Sequence, residues 1–518
     1  MSRLTILFIL ISFIITTINA SRILCYFPNP SKSHVILAMP ICEELANRGH
    51  IVTSVTNFKF GKNSSNFKNI VVPRPGFDDD LFGKLSSGDV KPSPKFLMQV
   101  SKKFREDNIE TLKSPEFQKI MKEETFDLIF FIPVFFNNVQ LGIADHFKTP
   151  WVGLTPMGNI LPIRQMLGSH TLPATVPNFL LHMHGKMGFP ERVKNFLFNI
   201  VDYGMTFYMD TVQKSEYEQY FPSNKYRSYD DMKKNMSLIF LNSHFADSEI
   251  IRPLLPNEIE IGGIQIKTKP APLEGELKQF LDNATNGAIL WTFGTNLPVS
   301  STQPAKVDVM LKVLSKIKEK VVVKWESDDL SRLPKNILGQ KWLPQDSILA
   351  HPNVKLFIGH GGLGGVGEAK YHQVPILGMP FFGDQDSNMA KIEEEGWGKS
   401  IKLNAVTEEN FSALLNDMLT NEKYQNKVKT YSAKYRDRIA SALDTAVFWV
   451  EYVLKHHGAP HLQYPGKELN FLQRNSLDVI GLFAVIFIII LKFLTFLFGI
   501  FCGKKSTLAE VKLQKKKN

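Results

Sequence analysis

Residues 357–385 read FIGHGGLGGVGEAKYHQVPILGMPFFGDQ, and the fold is decided in this stretch. An apolar run that begins upstream at Val354 ends on Gly359-His360. Five glycines then fall within residues 361–367, followed by Glu368, two prolines and a closing Asp384-Gln385. The run reads as a buried strand, GHGGLGG as a turn, and VGEAKYH as the start of a helix. Glycine at such a turn lets bare backbone approach a ligand, and the free amides at a helix N-terminus favour an anion. The spacing is neither the dinucleotide fingerprint nor a Walker loop, which needs Lys-Ser/Thr after its last glycine. His360 adds a donor for an anion oxygen. Glu368, about two helical turns on, is placed for a sugar diol, and Asp384 and Gln385 follow a further strand within reach of hydroxyls.

Outward from this stretch the same rhythm repeats. GAILWTFGT (287–295), a helix from Ala305 to Lys320, VVVKW (321–325), VKLFIG (354–359) and VPILGM (374–379) alternate as strand and helix. An earlier series runs through RILCYFP (22–28), a helix over 34–50 with Pro40 inside it and Gly49 as its stop, IVTSVT (51–56), FDLIFFIPV (126–134) and PWVGLT (150–155). Alternation of this kind predicts parallel sheets, and so an α/β chain with two doubly wound domains whose facing cleft holds the site. The expected boundaries are 21–265 for the first domain, 266–284 for a linker, 285–440 for the second domain and 441–475 for a helical return segment. Residues 178–209 are rich in Phe, Leu and Met. They read as an ordinary helical face in preference to a membrane-touching surface.

Composition narrows the class. The chain has 518 residues, 44% hydrophobic and 21% charged, which suits folded domains and excludes wholesale disorder. Its net charge is +11, of which a C-terminal tail, residues 504–518, with six lysines and one glutamate, supplies +5. No basic stripe interleaved with aromatics is present elsewhere, so nucleic acid is not an expected partner. Residues 1–20 have the form of a secretory signal peptide, with Arg3 before an apolar stretch and small residues up to Ala20. Val479 to Cys502 is apolar apart from Lys492, and residues 476–503 are expected to form a transmembrane helix. The lysines that follow place the tail in the cytosol and the body in the lumen, a single-pass type I arrangement. The terminal Lys515-Lys516-Lys517-Asn518 resembles a dilysine signal for the endoplasmic reticulum. Sequons begin at Asn63, Asn235, Asn283 and Asn410. Three cysteines make no disulfide framework, and Cys25 and Cys42 read as buried thiols.

The opening stretch resembles the signature of the UDP-glycosyltransferases, most closely the membrane-bound UDP-glucuronosyltransferase branch. KWLPQ (341–345), FGTN (293–296), NSHFADSEIIRPLLPNEIEIGGI (242–264) and DTAVFWVEYVLKHHGAPHL (444–462) extend the likeness over nearly the whole chain. The resemblance implies two facing Rossmann-like domains of the GT-B type, acceptor on the first and UDP-sugar on the second. It implies Trp342 stacked on uracil and Gln345 bonded to the nucleoside. Thr295, His360, Gly361 and Gly362 would hold the diphosphate, Glu368 the ribose, and Asp384 and Gln385 the sugar. It implies direct displacement at the anomeric carbon with inversion, His34 as general base, a small lipophilic hydroxyl compound as acceptor, and no metal. UDP-sugar is then a co-substrate, not a cofactor.

Departures from the pattern keep a second class open. The family commonly has a carboxylate five residues after the Asp of its FD strand; here that Asp is Asp127, and the position is Ile132. Asn137 and Asn138 are the polar residues near in sequence, able to orient a histidine but not to neutralise its charge. Gly359 stands where Thr or Ser usually precedes the signature histidine, and Gly364 where Asn is frequent. The alternative to an enzyme is a non-catalytic nucleotide-sugar-binding homologue that pairs in the membrane with active relatives; either class allows a homo- or hetero-oligomer.

Overall fold

The computed structural model describes residues 20–514 apart from 62, 73–93, 134–136, 179–180, 182, 184–185 and 248–251. The signal-peptide reading and the terminal lysines from 515 lie outside the described residues. Two parallel sheets carry the chain. The first has seven strands: β1 (Arg22–Phe27), β2 (Ile51–Thr56), β3 (Phe67–Val71), β4 (Leu128–Phe131), β5 (Trp151–Thr155), β6 (Met236–Leu241) and β7 (Glu258–Glu260), in the order 3-2-1-4-5-6-7. The second has six: β8 (Ala288–Thr292), β9 (Lys320–Lys324), β10 (Ile337–Gln340), β11 (Val354–Gly359), β12 (Ile376–Gly378) and β13 (Gly398–Ser400), in the order 10-9-8-11-12-13. Strand order reverses between β1 and β4 in one sheet and between β8 and β11 in the other. A doubly wound sheet opens its crevice at the carboxyl ends of the strands at such a reversal. The segments that leave β1, β8 and β11 are those holding His34, Thr295 and His360.

The helices follow from the apolar pattern. We number α1 (Lys32–Asn47), α2 (Pro94–Lys113), α3 (Phe189–Tyr220), α4 (Gly275–Asp282), α5 (Pro304–Leu314), α6 (Leu363–Tyr371), α7 (Gln385–Glu395), α8 (Ala442–Lys455) and α9 (Leu477–Gln514). In α1 Pro40 removes one helical donor but the helix continues, because Val35, Ala38, Ile41, Cys42 and Leu45 are wholly buried against the first sheet. Gly49, with φ of +98°, ends the turn as expected. α5 stops at Leu314, short of the expected Lys320, since Lys320 already opens β9. Helix α6 begins at Leu363, three residues earlier than its reading, so Gly364 and Gly365 form its first turn. Cys25 and Cys42 are buried free thiols.

After the second sheet the chain returns to the first. Ala446, Val447, Val450 and Val453 of α8 join the same apolar cluster as Ile41 and Leu45 of α1. Arg48 fixes the crossing with Glu44 at 3.1 Å, Asp444 at 3.0 Å and Glu451 at 3.6 Å. Both sheets and α8 belong to one compact unit; a smaller unit is built from Leu167–Ser169 and the chain from Tyr464 onward. In the smaller unit Leu477–Ile500 has a mean hydropathy of 2.8 over 24 residues, long and apolar enough to cross a bilayer. The helix does not stop there but continues to Gln514, so the basic tail is helical in its described part.

Helix α3 departs from its sequence reading. Its buried residues are Asn195, Asn199, Met209, Gln213 and Tyr217, while Phe196, Leu197, Ile200, Val201 and Phe207 face outward. The ordinary amphipathic arrangement, apolar in and polar out, is inverted over its first five turns.

Candidate active site

The loop after β1 carries Asn29, Ser31 and His34 onto the first turns of α1. Asn29 Oδ1 accepts from the Ser31 amide at 2.9 Å, and the Ser31 and Ser33 hydroxyls lie 2.9 Å apart. Asn296 Nδ2, from the loop after β8, donates to Ser31 Oγ at 3.2 Å. This bond brings the loop of the first sheet beside Thr295, whose hydroxyl donates to Asn296 Oδ1 at 3.3 Å. His34 therefore sits one helical turn from the point where the two sheets' loops touch. Its Nδ1 is buried without a hydrogen-bond partner, and burial pushes the imidazole down to about 4. The ring of Phe104 on α2 lies 6.4 Å away, centroid to centroid.

His360 is gripped by backbone. A Cβ at Gly294 would come within 2.7 Å of His360 Cε1, and one at Gly362 would collide with Nε2. Gly361 has a φ of +81°, and a Cβ there would meet Met389 and the Gln385 carbonyl. Three of the glycines thus answer a close approach of backbone to ring or helix. His360 is also held down to about 4, by burial and then by Lys324. Lys324 Nζ donates to the Gly294 carbonyl at 3.0 Å and to Glu326 at 2.9 Å. Lys32 reaches across from α1, with Nζ 4.0 Å from the centre of the half-exposed Trp342 ring, and is lowered by burial and by Lys324. Lys32 and His360 are both close enough to Lys324 to be lowered by it, and His360 directly precedes the turn where α6 presents its amides, an arrangement suited to a diphosphate.

Further along α6, Gln345 Nε2 donates to Glu368 Oε2 at 2.5 Å. Burial lifts the Glu368 carboxyl to about 7 in spite of that bond. Gln265 Nε2 donates to the Gly364 carbonyl at 3.1 Å and backs the same turn. At the start of α7, Asp384 accepts from Asn388 Nδ2 at 2.8 Å, which also donates to the Gly361 carbonyl at 2.9 Å. Burial raises the Asp384 carboxyl. Gln385 Oε1 accepts from the amides of Phe381 at 2.8 Å and Phe382 at 3.2 Å, so its carbonyl end is committed to shaping the loop.

All ten expected site residues therefore lie on loops at the carboxyl ends of the strands or on the helices that leave them. Among the described residues no group of three or more His, Cys, Asp or Glu side chains could hold a metal. Ile132 is buried in the apolar cluster of the first sheet, and its carbonyl accepts from Asn137 Nδ2 at 3.3 Å. The Oδ1 atoms of Asn137 and Asn138 are buried without partners. Sequence reading missed Lys32, Lys324, Asn296 and Ser31. Ser31 and Lys32 stand just before His34 in sequence, but only the approach of the two sheets gives them a role.

Residues 22–512 match the family described as UDP-glucoronosyl and UDP-glucosyl transferase. The chain belongs to that family. UDP-glucosyltransferase 2 of Dactylopius coccus is 33% identical over 484 residues, 92% of each chain. UDP-glucuronosyltransferase 2B9 of Macaca fascicularis is 29% identical over 528 residues, 96% of this chain and 97% of the relative. Among solved structures, a UDP-glucose: anthocyanidin 3-O-glucosyltransferase in complex with UDP matches with a TM-score of 0.55 at 15% identity, covering 85% of this chain and 99% of that one. The glycotransferase of kitacinnamycin matches at 0.56 and 14% identity, over 85% and 100%. These likenesses establish the GT-B fold, and family membership makes the chain a glycosyltransferase that uses a UDP-sugar donor.

Proposed function

We propose that the chain moves a hexosyl or glucuronosyl group from a UDP-sugar to a hydroxyl of a small lipophilic acceptor, with inversion, and that His34 is the general base. The acceptor oxygen forms its bond to the anomeric carbon as the bond from that carbon to the diphosphate oxygen breaks. The acceptor proton passes to a ring nitrogen of His34, and the electron pair leaves with UDP. Lys324, His360 and the α6 amides stabilise the charge that grows on the leaving diphosphate. Trp342 and Gln345 take the uridine, Glu368 the ribose, Thr295 and the Gly361-Gly362 backbone the phosphates, and Asp384 and Gln385 the sugar. The single observation that carries the reading is the place of His34, its Nδ1 buried without a partner, one turn from the Ser31–Asn296 bond between the two sheets' loops. α9 anchors the protein in the endoplasmic reticulum membrane with its body in the lumen.

One observation favours a second reading, a non-catalytic UDP-sugar-binding partner of active relatives. Ile132 is buried hydrocarbon at the position where the family's pattern has a carboxylate, and burial lowers His34 without compensation. A donor-by-acceptor turnover screen in microsomes, reading UDP release and product mass, separates the two. Turnover that disappears in His34→Ala while UDP binding persists supports the enzyme. UDP binding without turnover for any donor supports the partner.

A further inference from the structure

Lys32 stands where the nucleotide has to go. Its Nζ lies 4.0 Å from the centre of the Trp342 ring. A stacked base needs the layer about 3.5–4 Å above that ring, so ammonium and uracil cannot share the face. The backbone beneath Lys32 is held from two sides. Ser31, just before it, accepts from Asn296 Nδ2 at 3.2 Å, and its amide donates to Asn29 Oδ1 at 2.9 Å. Lys32 itself is the first residue of α1. The flexible four-carbon stem is what remains free to swing.

The ammonium is poorly matched to its surroundings. Burial and then Lys324 oppose its charge, and the first turn of α1 holds no acid. A helix N-terminus disfavours a cation as well. Lys324 has a countercharge of its own in Glu326, at 2.9 Å. For Lys32 the ring of Trp342 is a weak substitute, worth about two- to fivefold in an equilibrium for a cation over a partly exposed aromatic face. A charge-assisted bond to a phosphate oxygen is worth about 10- to 150-fold. We propose that Lys32 makes the diphosphate a condition of nucleotide binding: its ammonium covers the uracil platform in the empty protein and moves onto a diphosphate oxygen when the donor enters. A nucleoside without phosphates has to lift Lys32 from the ring and gives it no new partner. This inference rests on the reading that Trp342 stacks on uracil while Lys324 serves the phosphates.

The test compares uridine with UDP on the full-length protein in detergent micelles, by titration calorimetry for UDP and ligand-observed NMR for uridine. Pulse proteolysis in urea shows that each variant is folded. Lys32→Ala should bind uridine about two- to fivefold more tightly than wild type, while the preference for UDP over uridine falls by about tenfold or more. Lys32→Arg keeps a cation on a long stem and should keep most of that preference. The gain in uridine affinity should vanish in the Trp342→Ala background, where no ring is left to uncover. Unchanged or weaker uridine binding in Lys32→Ala shows a platform that was already open and overturns the inference. Tighter uridine binding with an unaltered preference for UDP overturns it too, because Lys32 then never reaches the phosphates. If Trp342→Ala alone leaves uridine binding unchanged, the uracil does not stack there, and the reading of the site falls together with the inference. A loss of uridine binding in Trp342→Ala with no effect of Lys32→Ala keeps that reading and removes the inference alone.

Discussion

Glu368→Gln should act in opposite directions on stability and on donor binding, and the structure sets both sizes. The folded carboxyl is raised from 4.5 to about 7, mainly by burial. A group raised in the folded state contributes its full share below its unfolded value and loses it as pH climbs through the folded one. At about 1.4 kcal/mol per unit, ionised Glu368 costs the empty protein up to about 3 kcal/mol at pH 8 and about 1 kcal/mol at pH 5. The amide keeps the shape and can still accept from Gln345 Nε2, so the variant should be the more stable protein, by a margin that widens with pH. UDP affinity should move the other way. An ionised carboxylate accepting ribose hydroxyls contributes about 1.5–3 kcal/mol, so binding should weaken by roughly 10- to 150-fold. Wild type should also release about half a proton on binding UDP at pH 7, since a group with a pKa near 7 starts half protonated. Pulse proteolysis in urea reads the first effect, and titration calorimetry in buffers of different ionisation enthalpy reads the other two. A stability margin that does not change between pH 5 and 8 would refute the buried-carboxyl argument. Unchanged UDP affinity would remove Glu368 from the ribose.

Trp342→Ala should weaken UDP by about 1–3 kcal/mol, the range for a base stacked on an aromatic ring, and calorimetry on the folded variant checks it. Lys324→Gln should weaken UDP by at least tenfold but leave uridine binding nearly unchanged if the lysine, beside His360 and the Gly294 carbonyl, serves the phosphates and not the base; an equal loss for both ligands would contradict that placement. Protease added to sealed microsomes should remove only the tail beyond Gly503, and digestion of the body would overturn the orientation. Replacing Lys515 and Lys516 should let part of the protein reach later compartments, read by its glycan processing.

The central strands were legible because both faces of a parallel sheet are covered: β1, β5, β8 and β11 read as nearly unbroken apolar runs. The edge strands were not. β3, β7, β10 and β13 carry Lys68, Glu258, Gln340 and Lys399, and the last three elements are only three or four residues long. Their pairing comes from the neighbouring strand, not from their own composition. In the site, residues within one motif can be proposed from spacing, as His360 and Glu368 are. Lys32 and Lys324 could not, because their meaning comes from two loops more than 290 residues apart in sequence that fold to one place. α3 misled for a related reason. Periodicity reports that a helix has an apolar face but not which way that face points, and Asn195 declares the direction only through bonds to Pro173, Val176 and Asn178, with Asn199 bonded to Asn195.

The missing carboxylate bears on where the rate of the proposed reaction comes from. A histidine held near 4 is neutral at working pH and so able to accept a proton, but it is a weak base, and its imidazolium would form in a site that disfavours charge. In this chain Ile132 cannot offset that, and Asn137 offers an oxygen but no charge. The donor itself brings negative charge to the loops beside His34, through the diphosphate expected among Lys32, Lys324 and His360. An anion nearby raises a histidine, so His34 should become a stronger base once UDP-sugar is bound. In Glu368→Gln, where the carboxyl raised to about 7 no longer titrates, the acidic limb of the pH profile should therefore lie near 4 when kcat/KM is measured for the donor, which reports the empty enzyme. It should move up toward the ordinary histidine value when kcat/KM is measured for the acceptor at saturating donor. His360→Asn, which removes the other histidine held near 4, should leave that upward movement in place. Identical limbs for donor and acceptor would show that the diphosphate does not assist the base, and the non-catalytic reading would then gain ground.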